Sequence, residues 1–247
     1  MSYTPHLEEY KGLTEKQQYF LEGSPFPIDN VEDIYDTNRI IHESEKFFQN
    51  IDVKNIPIDI REMVYITLRQ FPQLEHTPIS FMNIQNKHLT TMMSFSKFWK
   101  PSFFNHNKRE FVIGYQRERF ENLYQDNYNG MIGHIAHEFM HTLEYKKFNT
   151  LEFISFGKQY FEGFLRRNIR KNFAKTTEYR VENKTIQAGF PTQVQACVEA
   201  LFHEDPNSKL WTTIYPTPQI IQKWLNKFQI DNTVDNRFSP THQQHMM

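Results

Sequence analysis

After residue 50, the hydrophobic pattern begins with one helix and continues as short strand-like runs. Apolar residues recur near helical spacing over residues 58–71, just before Pro72, and this predicts a helix. Runs rich in β-branched and aromatic residues, separated by turn-forming segments, predict three strands. These strands span residues 79–84, 90–95 and 110–115. The Pro- and Asn-bearing residues 96–108 predict a loop.

From residue 131 onward the pattern is helical. Periodicity and start and stop signals predict helices at residues 131–148, 151–172, 177–188, 191–203 and 218–228. One helix, then strands, then a largely helical C-terminal half is an α+β order. The polar and aromatic residues before this region predict an extended arm and a helix over 31–49, and the polar residues after it predict a frayed tail.

Charge and composition exclude several classes of partner. Lys and Arg number 28 against 29 Asp and Glu, so no bulk charge draws the chain to nucleic acid or to an anionic membrane. There is no run of about 18 apolar residues, so we expect a soluble protein with no membrane insertion. The first ten residues lack a basic and an apolar signal region. We therefore expect a cytoplasmic protein, or one secreted without an ordinary signal peptide, for example as a delivered effector.

Cysteine usage limits the metal chemistry that is available. Cys197 is the only cysteine, which excludes an internal disulfide framework and a cysteine-rich zinc site. It falls inside a predicted helix, where a buried structural cysteine is expected. A metal site must therefore use histidines and carboxylates. His242 and His245 lie in the polar tail and are expected to be solvated.

The segment His137-Glu138-Phe139-Met140-His141 carries the strongest chemical signal. Histidines at i and i+4 of a helix project side by side, so their nitrogens can take two corners of a zinc tetrahedron. The glutamate between them then stands beside the open side of the metal, where it can take a proton from water. The rest of the helix agrees with this geometry, because an apolar stripe lies opposite the histidines and predicts that they face a cleft. The stripe contains Ile132, Ile135, Ala136, Phe139 and Leu143.

This segment, with the strands before it, resembles the zincin metallopeptidases over roughly residues 79–190. The resemblance implies an α+β, zincin-like fold in which a small, mostly antiparallel sheet packs on the motif helix. Its gluzincin branch has a third metal ligand, a glutamate on a later helix, followed four residues on by a supporting acid. Glu178 and Glu182 match that arrangement, with Glu182 where the branch commonly has aspartate. The implied organisation is an N-terminal arm and helix (1–50), one catalytic domain (51–236) and a flexible tail (237–247).

Two alternatives for the third ligand stay open on the sequence. Because Glu182 replaces an aspartate, the roles of Glu178 and Glu182 could be exchanged. His134 shares the side of the helix that carries His137 and His141, so it competes as a ligand. Three histidines on one unbroken helix span about 10 Å along its axis, however, which strains a single coordination sphere and favours a supporting or cleft-lining role for His134.

The resemblance also implies a mechanism. One zinc ion on His137, His141 and Glu178 leaves a position for water, and Glu138 acts as the general base in hydrolysing a peptide or protein substrate. Glu182 orients a ligand histidine. Tyrosines and histidines available to stabilise the oxyanion are Tyr145, Tyr160, Tyr179 and His134.

Residues 111–115 occupy the place where zincins have an edge strand that binds an extended peptide, and Gly114 would let another backbone come close. Two other functions remain as hypotheses. One is a zinc-stabilised binding module that cuts nothing. The other is an interaction protein in which the histidines are incidental.

Overall fold

The computed structural model describes residues 44–46, 48–68, 70–84, 91–97, 100–125, 127–165 and 171–234. The predicted N-terminal arm, most of the helix predicted over residues 31–49 and the predicted tail lie outside these described residues. None of the helices within the described ranges is both long and apolar enough to cross a bilayer.

Among the described residues, four strands form one mixed sheet in the order β1-β2-β4-β3. They are β1 (Ile51–Asp52), β2 (Ile79–Asn83), β3 (Met92–Ser96) and β4 (Phe111–Tyr115). The expectation of a mostly antiparallel sheet is wrong, because β1 with β2 and β2 with β4 pair in parallel and β3 alone runs antiparallel, against β4. Helix α1 (Ile58–Leu68) crosses over between β1 and β2, and such a crossover returns the chain in the parallel direction.

The strand position predicted for peptide binding is also wrong. Within the part of the chain that the structure describes, strand β4 lies inside the sheet, between β2 and β3, and β3 is the edge strand on that side. All five residues of β4 are buried, which is typical of an interior strand. A Cβ on Gly114 would meet the side chain of Ile84 and the ring of Phe95, so its small size accommodates neighbouring side chains.

Helices make up the C-terminal half, as predicted, and each of the five helices predicted after residue 131 has a counterpart. The helices after β4 are α2 (Arg117–Leu123), α3 (Tyr128–Lys146), α4 (Thr150–Leu165), α5 (Lys171–Gln187), α6 (Pro191–Glu204), α7 (Lys209–Thr213) and α8 (Pro218–Val234). The short elements β1, α2 and α7 were not predicted, since two to seven residues carry too little periodicity. Helix α3 begins three residues early because the Asn127 side chain accepts a hydrogen bond from the Gly130 N–H.

Helix α3 is the centre of the fold. It packs against α1 and β3 and against α5 and α6. Its apolar stripe joins the aromatic core, where the ring of Phe139 contacts those of Phe71 and Phe81. The histidine side of α3 is buried as well. The helix, whose pattern predicted one face in the core, is therefore enclosed on both faces.

The C-terminal end of α3 is held by a buried arginine. Arg109 is 1% exposed and donates from Nη1 to the carbonyl oxygens of Tyr145 and Phe148, at 3.2 and 2.9 Å. A cation at the C-terminus of a helix interacts favourably with its dipole, and here it donates to two carbonyl oxygens at that end. The guanidinium also lies over the rings of Phe103 and Phe153.

Gly133 lets α6 approach α3 closely. A Cβ at this position would overlap the backbone oxygen of Gln193, so alanine requires α6 to move. We predict that Gly133→Ala lowers the free energy of unfolding by roughly 2–3 kcal/mol, measured by urea denaturation. Gly157→Ala is the matched control, because a Cβ there meets no heavy atom of the described chain within 4 Å and alanine favours a helix. Equal losses from the two substitutions would contradict the close crossing.

Candidate metal centre

Two histidines of α3 bring their Nε2 atoms together. His137 and His141 are one helical turn apart, and their Nε2 atoms lie 3.0 Å from each other. Both side chains are buried, at 7% and 4% exposed. The pair of histidines read from the sequence is therefore aimed at one point inside the protein.

A glutamate of α5 completes the group. Oε2 of Glu178 lies 3.3 Å from Nε2 of His137 and 3.5 Å from Nε2 of His141. Four ligand atoms about 2.0–2.1 Å from a tetrahedral zinc ion stand about 3.3 Å apart along each edge. The three atoms thus form a triangle of the size that one face of such a tetrahedron requires. His137, His141 and Glu178 form a buried group close enough to bind a metal ion.

Glu182 lies behind this group. Its Oε1 is 3.2 Å from Nδ1 of His137, on the opposite side of the ring from the Nε2 that faces Glu178. The geometry thus distinguishes the two acids that the sequence left exchangeable, since Glu178 meets both Nε2 atoms and Glu182 meets an outer nitrogen. An acid at the outer nitrogen fixes the tautomer and orientation of an imidazole ligand.

His134 is not brought to this group. Its Nδ1 lies 2.8 Å from the hydroxyl of Tyr124, which in turn lies 3.3 Å from Sγ of Cys197. Burial, with the charges of His137 and Arg119, lowers the pKa of His134 to about 3, so the ring is neutral. The turn of the ring toward Tyr124 follows from α2 packing against α3 and α6, which the pattern of α3 alone does not reveal.

Tyr179 also points elsewhere. Its ring packs edge-on against Trp224 of α8, and the Lys175 ammonium lies over it. Neighbouring residues on a helix differ by about 100° in direction, so Glu178 and Tyr179 cannot share one face. Among the other sequence candidates, Tyr145 lies beside His141, and the side chain of Tyr160 is outside the described part of the chain.

Glu138 lies next to the three-atom group and against the edge strand. It is 4% exposed, and its carboxylate accepts a hydrogen bond from the backbone N–H of Ser94 in β3. The strand is fixed to the helix one turn further on, where the Ser94 hydroxyl bonds that of Thr142 at 2.7 Å. Oε2 of Glu138 is buried with no hydrogen-bond partner among the described residues. A buried carboxylate oxygen of this kind indicates a missing partner, such as a water or an ion.

The surroundings of Glu138 and Glu178 shift the pKa values of these two carboxylates in opposite directions. Burial raises the pKa of Glu138 above its ordinary value, and the negative charge of Glu178 adds to the shift. Burial acts the same way on Glu178, but the charges and hydrogen bonds of His141 and His137 outweigh it and lower its pKa. Glu178 is therefore held as an anion, whereas Glu138 is the carboxylate suited to exchange a proton.

The charge balance also fits a cation. Glu138, Glu178 and Glu182 are all at least 95% buried within one site. Burial opposes the charged form of His137, but Glu182 and Glu178 outweigh it and raise its pKa well above the ordinary value. Three buried carboxylates against histidines alone are costly, and a divalent ion would offset that cost. The donor set, two imidazoles and one carboxylate, suits such an ion.

A buried glutamate anchors α5 in register with α3. Glu144 forms ion pairs with Lys184 at 2.7 Å and Arg180 at 3.3 Å, and both cations belong to the helix that carries Glu178. The pairs span one turn of α5. They fix which residues of α5 face the histidines.

A cavity of about 420 Å³ opens beside the candidate metal centre. His137, Glu138 and Glu182 line it on one side, and α6, α7 and the following loop close the other. Tyr215 of that loop lines it too, although nothing in the sequence pattern singled it out. Burial raises the pKa of Tyr215 well above its ordinary value, and the charges of Glu178, Glu138 and Glu182 raise it further, so its hydroxyl stays protonated.

The fold and site define an α+β protein with a mixed four-stranded sheet and a buried His₂Glu group of metal-binding geometry. Comparison with protein-family models, curated proteins and solved structures finds no match to this chain.

Proposed function

We propose that the protein is a zinc-dependent metallopeptidase of the zincin type. The observation that carries this proposal is the buried triangle of His137, His141 and Glu178 with the proton-accepting Glu138 beside it. Two imidazole nitrogens and one carboxylate oxygen are a donor set found in catalytic zinc sites, which keep a fourth position for water or substrate. A structural zinc site has no need of a buried general base.

The chain's own residues supply the proton transfers. His137, His141 and Glu178 would hold the zinc ion, which would supply Lewis-acid chemistry toward water and a carbonyl group. Glu138 takes the proton from the attacking water and passes it to the nitrogen of the leaving amine. The N–H of Ser94 holds the Glu138 carboxylate in place for both transfers.

The outer edge of β3 is the place where the backbone of an extended substrate would bind. This strand is the edge of the sheet next to α3, and Ser94 lies in it directly against Glu138. An extended peptide that adds to the outer edge of β3 would therefore pass the general base. The strand-addition role expected for residues 111–115 thus passes to Met92–Ser96.

Tyr215 lines the cavity together with Glu138, and it is the donor that we assign to the developing oxyanion. We predict that Tyr215→Phe lowers kcat by about 10²–10³-fold and changes KM little, because the hydroxyl interacts more strongly with the transition state than with the substrate. Steady-state kinetics on a fluorogenic peptide measures both constants. Tyr179→Phe is the matched control, since that ring packs against Trp224. An unchanged kcat in Tyr215→Phe would remove the hydroxyl from the mechanism.

The function itself is tested with purified protein. Elemental analysis is expected to find about one zinc per chain, and a fluorogenic peptide library is expected to be cleaved by the metal-loaded protein and not after chelation. Binding of zinc with no cleavage of any library would overturn the peptidase proposal and favour the zinc-stabilised binding module. Absence of metal binding would favour an interaction protein with incidental histidines.

A further inference from the structure

The cavity beside the metal centre has the dimensions of a ligand pocket. Its volume, about 420 Å³, falls within the range in which small molecules and substrate groups bind. Apolar side chains of β3, α6 and α7 form much of its wall, namely Met92, Val198, Leu201, Leu210 and Trp211. A substrate side chain would therefore be surrounded mostly by apolar atoms.

One polar group in this wall has an unused nitrogen. His134 is 6% exposed and lines the cavity, and its Nδ1 is occupied by the hydroxyl of Tyr124. Nε2, the other nitrogen of this cavity-lining ring, has no hydrogen bond to another described residue. A polar ring atom at the wall loses free energy when the cavity fills with an apolar group that excludes water and cannot bond to it.

The hydrogen-bond chain behind His134 determines what this nitrogen offers. Phenol is the strongest donor of the three groups and imidazole nitrogen the strongest acceptor, so Tyr124 donates to Nδ1 of His134. The thiol of Cys197, which burial keeps protonated by raising its pKa, then donates to the Tyr124 oxygen. With Nδ1 accepting, the neutral ring carries its hydrogen on Nε2. This hydrogen-bond chain therefore gives the His134 ring at the cavity wall one N–H donor, on Nε2.

The charged groups around the cavity disfavour an acidic occupant. Four carboxylates line the wall, those of Glu138, Glu182, Glu204 and Asp205. Among the described residues that line this wall, Arg119 is the one Lys or Arg, and it is already paired with Glu204 through two contacts of 2.8 and 2.7 Å. A negative side chain would meet repulsion, whereas a group with N–H donors would find carboxylate acceptors.

We propose that this cavity selects the substrate by binding an uncharged side chain that ends in a carboxamide, glutamine above all. The carbonyl oxygen of the amide accepts from Nε2–H of His134, and its NH₂ faces the carboxylates of the wall. The methylene stem of glutamine lies against the apolar side chains. This inference rests on the proposed peptidase function, which supplies the substrate, but the binding site can be tested separately.

The first test measures selectivity. Peptides that differ only by glutamine, leucine or glutamate are compared at each position around the cleaved bond. At one position kcat/KM is expected to favour glutamine over the other two by about tenfold or more, because an unpaired N–H penalises leucine and repulsion penalises glutamate. His134→Phe is expected to bring the glutamine-to-leucine ratio near one, and His76→Phe, at an exposed histidine, to leave it unchanged. A wild-type preference for leucine, or a ratio that survives His134→Phe, overturns the proposal.

The second test uses the wild-type protein and does not depend on catalysis. Long-range proton–nitrogen NMR of the zinc-loaded protein is expected to show His134 with its hydrogen on Nε2. N-acetylglutamine amide is expected to shift that nitrogen saturably, and N-acetylleucine amide to leave it in place. If the Nε2 signal shifts but no peptide is cleaved, the peptidase proposal is overturned and the carboxamide site stands. If peptides are cleaved but the Nε2 signal does not shift and glutamine is not preferred, the carboxamide site is overturned and the peptidase proposal stands.

Discussion

Glu138→Gln is expected to abolish peptide cleavage while the protein keeps its metal. Glutamine has the shape of glutamate but cannot take a proton from water, so the loss of the general base should lower kcat by about 10²–10⁴-fold. Glu138 contributes none of the three ligand atoms, which come from His137, His141 and Glu178. The zinc content should therefore stay near one per chain. Stopped-time assays with excess enzyme, paired with elemental analysis of the same sample, measure both quantities.

The control for this substitution is Glu121→Gln. Glu121 makes an exposed ion pair with Arg117, so the same chemical change there should alter neither cleavage nor metal content. Full activity in Glu138→Gln would remove the proposed base. Loss of the metal would instead place Glu138 among the ligands and require a different assignment of Glu178.

His141→Ala is expected to eliminate high-affinity zinc binding and the thermal stabilisation that accompanies it. A ligand bound only by the folded state at a thousand times its Kd stabilises by about 4 kcal/mol. In a protein of this size that corresponds to a rise in Tm of roughly 10 °C, which the variant should lack. Differential scanning calorimetry with and without zinc measures the shift, and competition with a chromogenic chelator gives the Kd.

The two acids of α5 should rank differently in the same assay. Glu182→Gln removes a group that only orients His137, so its zinc affinity should fall by about 10–100-fold. Glu178→Gln removes a ligand atom and should cost more. The reverse order would show that the metal draws Glu182 into the ligand set. His76→Ala, at an exposed histidine, should leave Tm and Kd unchanged.

The geometry of the proposed site depends on contacts between residues that are far apart in sequence. Glu144 and its partners on α5 fix which side of that helix faces the histidines. Gly133 allows α6 to close over α3 and so to form the cavity. Ser94 connects the edge strand to Glu138. A substitution at any of these places can therefore change the site without touching a ligand.

Features that lie within a single helix could be predicted from the sequence. The spacing of His137 and His141 on α3 brings their Nε2 atoms to 3.0 Å because an i, i+4 pair is neighbouring in any α-helix. The helical C-terminal half was equally readable, since each long helix carries several turns of periodicity. The strand segments were recognisable too, but their pairing was not. Strand direction depends on which connection crosses over, and the short element β1 that begins the crossover has only two residues.

By itself, then, the sequence determined the histidine pair, the glutamate between them and the α+β order of the chain, because helical geometry links residues a few positions apart. Only the tertiary structure decided that Glu178 meets both Nε2 atoms while Glu182 lies behind His137. It also decided that His134 turns toward Tyr124, that β3 is the edge strand, and that Tyr215 lines the cavity. Each of these depends on how separate elements pack, and no local periodicity encodes the rotation of one helix against another.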